Sequence, residues 1–125
     1  MKKVKWTKDV EDKDYSAALS YLSLLYTPFT AKRLVRKFKT AFVVDLLVKD
    51  VTRSAGLLLI DKDNLHTKQV LDKIKDSKSL SPVLLVRGNA PKSVHLLIAD
   101  GYHRICGVYT HNEDSTIKAK IIDWT

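Results

Sequence analysis

The stretch that decides the fold of this chain runs from Val94 to Arg104 and reads VHLLIADGYHR. Its apolar beginning, residues 94–99, is typical of a strand, and a helix is expected from Gly101 to about His111. The first N–H groups of a helix are free of intrahelical partners, and the positive end of the helix dipole attracts anions. The sequence therefore predicts a strand-to-helix corner that can bind a phosphate group.

Three residues of this corner have groups suited to a phosphate. Gly101 allows a ligand to approach the backbone closely, and His103 can donate or accept a hydrogen bond near neutral pH. Arg104 can donate to two phosphate oxygens at once. A glycine is also common at tight turns for conformational reasons alone, and structural roles for the other two side chains fit equally well. The motif by itself leaves both interpretations open.

Further strands and a helix are expected around this corner. Residues 83–86 are an unbroken apolar run, as expected of a strand buried on both faces, and turn residues follow at 88–92. The alternation of apolar and polar residues at 117–122 predicts a final strand. Before them, short polar side chains at 61–64 can cap a helix that extends to Lys75.

Two helices are predicted in the first 40 residues. An apolar face with helical spacing runs through residues 13–26, and Asp12 or Asp14 is placed to cap its start. Thr27-Pro28 ends that helix, and residues 31–38 repeat the helical spacing. The second helix carries a basic face that consists of Lys32, Arg33, Arg36, Lys37 and Lys39.

The remaining segment connects these helices to the corner. Ala41–Val44 is a β-prone run, and the residues after Asp45 predict a short helix that ends at Gly56, a typical C-terminal capping residue. The chain is therefore expected to adopt an α/β (α+β) fold. A small mixed sheet flanked by helices would occupy residues 41–125, and a helical extension at residues 1–40 would pack on it.

Composition restricts the class of protein. A chain of 125 residues with 45% hydrophobic content can close one ordinary core. Cys106 is the only cysteine, so no internal disulfide can form. The sequence has no apolar run of about 18 residues and no apolar segment after its basic N-terminus. We expect a cytoplasmic protein without a membrane partner.

The histidines do not predict a metal site. They are spread along the chain without the spacing of zinc ligands, at His66, His95, His103 and His111. We therefore expect no resident metal in this chain.

The charge is unevenly distributed along the chain. The net charge is +8, of which residues 1–40 contribute +6 (10 basic, 4 acidic) and residues 41–125 contribute +2 (12 basic, 10 acidic). Clustered cations can neutralise nucleic-acid phosphates and release counterions. The basic face, with Lys32, Arg33, Arg36 and Lys37 as the contacts, is therefore a candidate nucleic-acid surface.

The order of elements around the corner resembles the core of ParB-like and sulfiredoxin-like domains. The resemblance covers residues 57–123 and depends on the segment LSPVLLVR at 80–87, on IADGYHR at 98–104 and on the helix and strand that follow. Members of that superfamily bind nucleotide phosphates at a Gly-x-x-Arg corner. Sulfiredoxin has Gly-Cys-His-Arg there, and a free-serine kinase has Asp-Gly-His-His-Arg.

The resemblance implies functional roles at matching positions. Gly101, Tyr102, His103 and Arg104 would contact the phosphates of a nucleoside triphosphate bound with Mg²⁺. Asp100 and His103 would be the catalytic candidates, with Asp100 near the metal or an accepting hydroxyl. The implied activities are phosphotransferase or nucleotide hydrolase.

The chain also departs from those relatives. Tyr102 stands where sulfiredoxin has its catalytic cysteine, so the thiolate chemistry of sulfiredoxin is not expected. Cys106 lies deeper in the helix and is as consistent with a small core residue as with a reactive one. The chain has no room for the helix-turn-helix and dimerisation domains of partitioning ParB proteins, so the resemblance is to stand-alone ParB-like proteins.

Three functions follow from the sequence. Binding of a nucleotide or phosphate ligand at residues 100–104 ranks first, with or without catalysis. The alternatives are a nucleic-acid-binding or ParB-like nuclease protein that uses the basic face together with Arg104, and a non-catalytic protein-interaction module. The last is favoured if Tyr21 and Leu24, which lie off the apolar stripe of the first helix, are exposed. The sequence does not specify the nucleotide base, the acceptor or the oligomeric state.

Overall fold

The computed structural model describes residues 2–59 and 63–125, which form an α/β fold of helices, a mixed four-stranded sheet and a parallel two-stranded sheet. In chain order the described elements are β1 (Lys5–Trp6), α1 (Asp12–Leu25), α2 (Pro28–Thr40), β2 (Val44–Leu47), α3 (Val48–Ala55), α4 (Leu65–Lys75), β3 (Ser79–Leu80), β4 (Val83–Val86), β5 (Leu97–Asp100), α5 (Tyr102–His111) and β6 (Thr116–Ile122). A short 3₁₀ turn, Ala90–Lys92, lies between β4 and β5.

The main sheet has the strand order β2-β6-β4-β5. Strand β4 runs parallel to β6, with Val83 opposite Ala119, while the two outer pairings are antiparallel. The smaller sheet consists of β1 and β3, which pair in parallel. The order places β4 inside the sheet, next to the strand that leads into the predicted phosphate corner.

Helices cover both faces of the main sheet. Val83 and Leu85 of β4 belong to the apolar cluster shared with α3, α4 and α5, whereas Leu84 and Val86 belong to the cluster shared with α1 and α2. This division follows from the alternation of side chains along a strand. All four β4 residues are buried, which confirms the prediction of a strand buried on both faces.

Most helix predictions are confirmed. The two N-terminal helices begin and end within a few residues of the predicted bounds. Gly56 ends α3 with φ +65°, the left-handed conformation that favours glycine. Asn64 caps α4, since its side chain accepts from the backbone N–H groups of His66 and Thr67. Of the other predicted capping residues, Asp61 and Lys62 lie outside the described part of the chain.

Two strands start later than predicted. The run Ala41–Val44 is not a strand over its length, because pairing with β6 begins only at Val44 and continues to Leu47. Residues 94–96 also lie outside β5. The backbone N–H of Leu96 donates to Ser54 O of α3 instead of to a neighbouring strand. Apolar character alone did not reveal which residues have a strand partner.

The predicted cap of α1 is wrong. Neither Asp12 nor Asp14 precedes the helix, and the residue at the N-cap position, Glu11, makes no capping hydrogen bond through its side chain. Asp14 is instead buried in the first turn and forms an ion pair with Arg104. The Asp14 carboxylate, which the local sequence assigned to the helix cap, therefore makes a tertiary contact instead.

A buried lysine fixes α1 against the sheet. The ammonium of Lys120 on β6 donates to the hydroxyl of Tyr15 at 2.9 Å and lies 3.2 Å from a carboxylate oxygen of Asp9. Burial lowers the pKa of Lys120, but the hydrogen bonds to Tyr15 and Asp9 outweigh it and raise that pKa above its ordinary value. Lys120 therefore stays charged, and its two partners hold the start of α1 in position. Within the described residues, no helix has the length and apolar character needed to cross a membrane.

Candidate functional site

The predicted corner lies between β5 and α5, and its glycine is required by the fold. Gly101 has φ +105°, and a Cβ atom there would lie 2.4 Å from Val83 Cγ1. Gly101 O accepts from Ile105 N and starts the helix, but a glycine has no side chain with which to cap it. The N–H groups of Tyr102 and His103 in the first turn therefore lack a capping side chain, as do the helix starts at which proteins bind anions.

Two histidines meet at the start of α5. The ring of His103 lies 4.7 Å from the ring of His66, which is in the first turn of α4. Burial lowers the pKa of His103, and the charge of His66 lowers it further. A neutral imidazole at neutral pH can accept a proton or donate one hydrogen bond. The residues around His66 favoured an exposed capping turn, whereas the resemblance implied that its helix faces the phosphate corner. The structure brings the ring of His66 to the ring of His103.

Arg104 is bound to other protein groups. Its Nη1 lies 3.0 Å from Asp14 Oδ2 and 2.6 Å from Ser81 O, and its Nη2 lies 2.7 Å from Asp100 Oδ2. The side chains of Arg104, Asp14 and Asp100 are only 14%, 10% and 18% exposed. Arg104 thus joins α1, the β3–β4 link and the corner. Much of the donor capacity that the sequence assigned to a phosphate is used inside the protein.

Asp100 is the titratable group with the largest perturbation at this corner. Burial raises its pKa, the Arg104 guanidinium opposes this and the neighbouring Asp14 carboxylate supports it, and the net result is a pKa of about 6. With both carboxylates ionised, the group Asp14–Arg104–Asp100 carries one net negative charge. A carboxyl group that titrates near pH 6 can act as a proton donor or acceptor, which is the role expected for Asp100.

Tyr102 and Cys106, both on α5, face a neighbouring segment and the interior. The hydroxyl of Tyr102 donates to the carbonyl oxygen of Leu58. Burial beside Cys106 raises the pKa of Tyr102. Cys106 is fully buried and packs as a small core residue. Solvent therefore does not reach the thiol, and this position does not favour a reactive role.

A cleft of about 460 Å³ opens beside the corner. His66, His103 and Arg104 line it together with the start of α1 and one side of α4. Its charged side chains are balanced, four acidic and four basic: Glu11, Asp14, Asp72 and Asp76 against Lys13, Lys73, Lys78 and Arg104. The sequence did not predict the contribution of α1. One signal existed, since Asp14 precedes Ala18 and Leu22 at the spacing of one helical face.

The corner does not form a metal site by itself. The carboxylates of Asp14 and Asp100 both already bind Arg104. Among the residues that the structure describes, no three His, Cys, Asp or Glu side chains are arranged to hold a metal ion. The donor set therefore does not fit a resident Mg²⁺, and a magnesium ion would have to arrive with the phosphates of a ligand.

The basic face of α2 lies apart from the cleft. Arg33 donates to Trp124 O, and Lys37 donates to the backbone oxygens of Asp123 and Thr125. Lys32 and Arg36 are exposed. The structure thus divides the four predicted nucleic-acid contacts into two that hold the segment 123–125 and two that face solvent.

Apolar side chains are exposed near the turn between α1 and α2. Tyr21 and Leu24 are 41% and 83% exposed, and Leu25 and Phe29 are 52% and 73% exposed. Tyr21 and Leu24 are therefore exposed, which is the observation that would favour a protein-interaction module.

Comparison with known proteins adds no identification, because no family model, no curated protein and no solved structure matches this chain.

Proposed function

We propose that this protein binds a phosphate-bearing small molecule, of the nucleotide class, in the cleft beside α5. The observation that carries the proposal is the uncapped start of α5 next to the ring pair of His66 and His103. The N–H groups of Tyr102 and His103 would bind the phosphate, and the imidazoles would donate to its oxygens. The resemblance of the sequence to ParB-like and sulfiredoxin-like domains supports the same ligand class.

The structure changes the role that we propose for Arg104. Because its guanidinium is bound by Asp14, Asp100 and Ser81, its first role is to position the corner relative to α1 and β4. A ligand phosphate would contact one edge of it. Asp100, with a pKa of about 6, remains the candidate acid or base if the ligand is turned over.

Titration calorimetry with ATP, CTP, ADP and inorganic tripolyphosphate, each with and without Mg²⁺, tests the proposal. At least one of these ligands should bind, and His103→Gln should weaken its affinity by about ten-fold, the loss expected for one hydrogen bond to a charged group. His95→Gln is the matched control, since His95 lies on the turn before β5 and outside the cleft. Absence of binding by every ligand, or equal losses in both variants, would contradict the proposal.

A second candidate function is favoured by the exposed apolar residues near the α1–α2 turn. Tyr21, Leu24, Leu25 and Phe29 form a surface of the kind found at protein interfaces. The double variant Leu24→Ser and Phe29→Ser should then abolish any concentration-dependent association seen by sedimentation velocity. A wild-type chain that is monomeric at every concentration would remove self-association as the use of this surface.

A further inference from the structure

Asp14 brings the N-terminal helix into the candidate site. Its side chain is 10% exposed, and its Oδ2 accepts from Arg104 Nη1 at 3.0 Å. Helix α1 does not need this carboxylate for its own dipole, because Asp12 already supplies an exposed acidic residue in the same turn. The position of Asp14 is therefore explained by its contact with Arg104.

The contact places a negative charge where an anion is proposed to bind. Asp14 and Arg104 both line the cleft, next to His103 at the start of α5. A phosphate that approaches the first turn of α5 would face the Asp14 carboxylate, and like charges in a partly buried site repel more strongly than in water. Arg104 would keep its position without the contact to Asp14, since Asp100 accepts from its Nη2 and Ser81 O also accepts from its Nη1.

We propose that Asp14 competes with the ligand phosphate for Arg104 Nη1 and thereby lowers the affinity of the cleft for anions. This inference rests on the proposed phosphate-binding function. Ligand binding exchanges the Asp14–Arg104 hydrogen bond for an Arg104–phosphate hydrogen bond. Asp14 is then a specificity-determining residue, because only a ligand whose other contacts compensate for the lost ion pair can bind.

The test compares two substitutions that remove the same charge from the same helical turn. Asp14→Asn removes the carboxylate that binds Arg104, and Asp12→Asn removes an exposed one. By calorimetry with ATP and with inorganic tripolyphosphate, both without Mg²⁺, Asp14→Asn should bind about five-fold more tightly or better. Asp12→Asn should change the affinity by less than about two-fold, because an exposed charge is screened. Equal or weaker affinity in Asp14→Asn would overturn the inference.

A measurement on the wild-type chain covers the case in which Asp14→Asn does not fold. The guanidinium ¹⁵N resonances of Arg104 should shift when ATP saturates the protein, because Nη1 changes its acceptor. Unchanged Arg104 resonances at saturation would contradict the inference even without a variant. Failure of the wild type and of Asp14→Asn to bind either probe would instead remove the proposed function, and the inference with it. Wild-type binding without a gain in Asp14→Asn would remove the inference alone.

Discussion

Arg104 Nη2 lies 2.7 Å from Asp100 Oδ2, so the two charged residues of the predicted phosphate motif bind each other. They are four residues apart and meet across the start of α5. Asp14, which is 90 positions earlier in the chain, binds the other terminal nitrogen of the guanidinium, Nη1. The motif is therefore also a structural joint between the N-terminal helix and the sheet.

The first prediction concerns the stability of this joint. Arg104→Ala leaves two mostly buried carboxylates without their cation, and loss of one partner from a buried ion pair typically costs about 3–5 kcal/mol. Urea unfolding at neutral pH should show a loss of that order. Arg104→Lys, which keeps the charge but loses the planar arrangement of donors, should fall between wild type and Arg104→Ala. A loss below about 1 kcal/mol in Arg104→Ala, the range of an exposed ion pair, would contradict the structural role.

The second prediction concerns the pH dependence of stability. The pKa of Asp100 rises from 3.8 to about 6 on folding, so the folded state binds its proton more tightly than the unfolded state. The stabilising contribution of Asp100 is therefore fully present below pH 3.8 and is lost as the pH rises through about 6. Relative to Asp100→Asn, which cannot titrate, the wild type should lose free energy of unfolding between about pH 4 and about pH 7.

The measurement for this prediction is urea unfolding of both proteins across that pH range. Asp12→Asn controls for removal of an exposed carboxylate, and its difference from wild type should not follow the same course. A wild-type advantage over Asp100→Asn that grows with pH would mean that Arg104 dominates the environment of Asp100.

The third prediction concerns the close contact between α4 and α5. Gly107 faces Val70 so closely that a Cβ atom would lie 2.4 Å from Val70 Cγ1. Replacing a glycine inside a helix by alanine normally stabilises it by about 1 kcal/mol. Here the steric overlap with Val70 should outweigh that gain in helix propensity, and Gly107→Ala should destabilise the fold by about 1–3 kcal/mol. Thermal or urea unfolding measures the effect.

A double-mutant cycle separates this steric cause from other effects of the substitution. Val70→Ala alone loses packing, but in the Gly107→Ala background it makes room for the new methyl group. The double variant should therefore be more stable than the sum of the two single losses predicts. Strict additivity would show that Gly107 is not needed for the contact.

Local sequence signals account for much of this fold. Gly56 ends α3 and Asn64 caps α4 because both act on backbone groups a few residues away, and such interactions can be recognised in a sequence. The burial of β4 could be recognised from its unbroken apolar run. The corner at Gly101 also lies where the sequence placed it.

Contacts between distant residues could not be predicted in the same way. The local sequence predicts Asp14 to be a helix cap, but in the structure Asp14 binds Arg104. The alternation of the strand predicts that Lys120 faces solvent, but in the structure Lys120 is buried and donates to Tyr15. Val94 is 53% exposed despite its apolar character, because its backbone pairs with Asn89 in the turn before β5 and not with a strand of the sheet. These positions are decided by pairing across the fold, about which periodicity carries no information.

The fourth prediction concerns the basic face of α2. Lys32 and Arg36 are exposed, whereas Arg33 and Lys37 hold backbone oxygens of residues 123–125. If nucleic acid bound this face, each phosphate contact would contribute about 0.9 to the slope of log affinity against log salt for duplex DNA. The pair Lys32→Gln and Arg36→Gln should then reduce that slope by about two at most.

Salt-titrated fluorescence anisotropy with duplex DNA and with single-stranded RNA measures this slope. Lys68→Gln with Lys75→Gln is the matched control, because both lysines are exposed on α4 and lie outside the cleft. We expect only weak binding at about 150 mM salt, with the two double variants alike, since two solvent-facing cations do not make a specific site. Submicromolar affinity at that salt concentration, lost in the Lys32 and Arg36 variant but kept in the control, would contradict this expectation. It would place nucleic-acid binding above phosphate-ligand binding as the function of this protein, because the cleft at α5 would then be unnecessary for the activity observed.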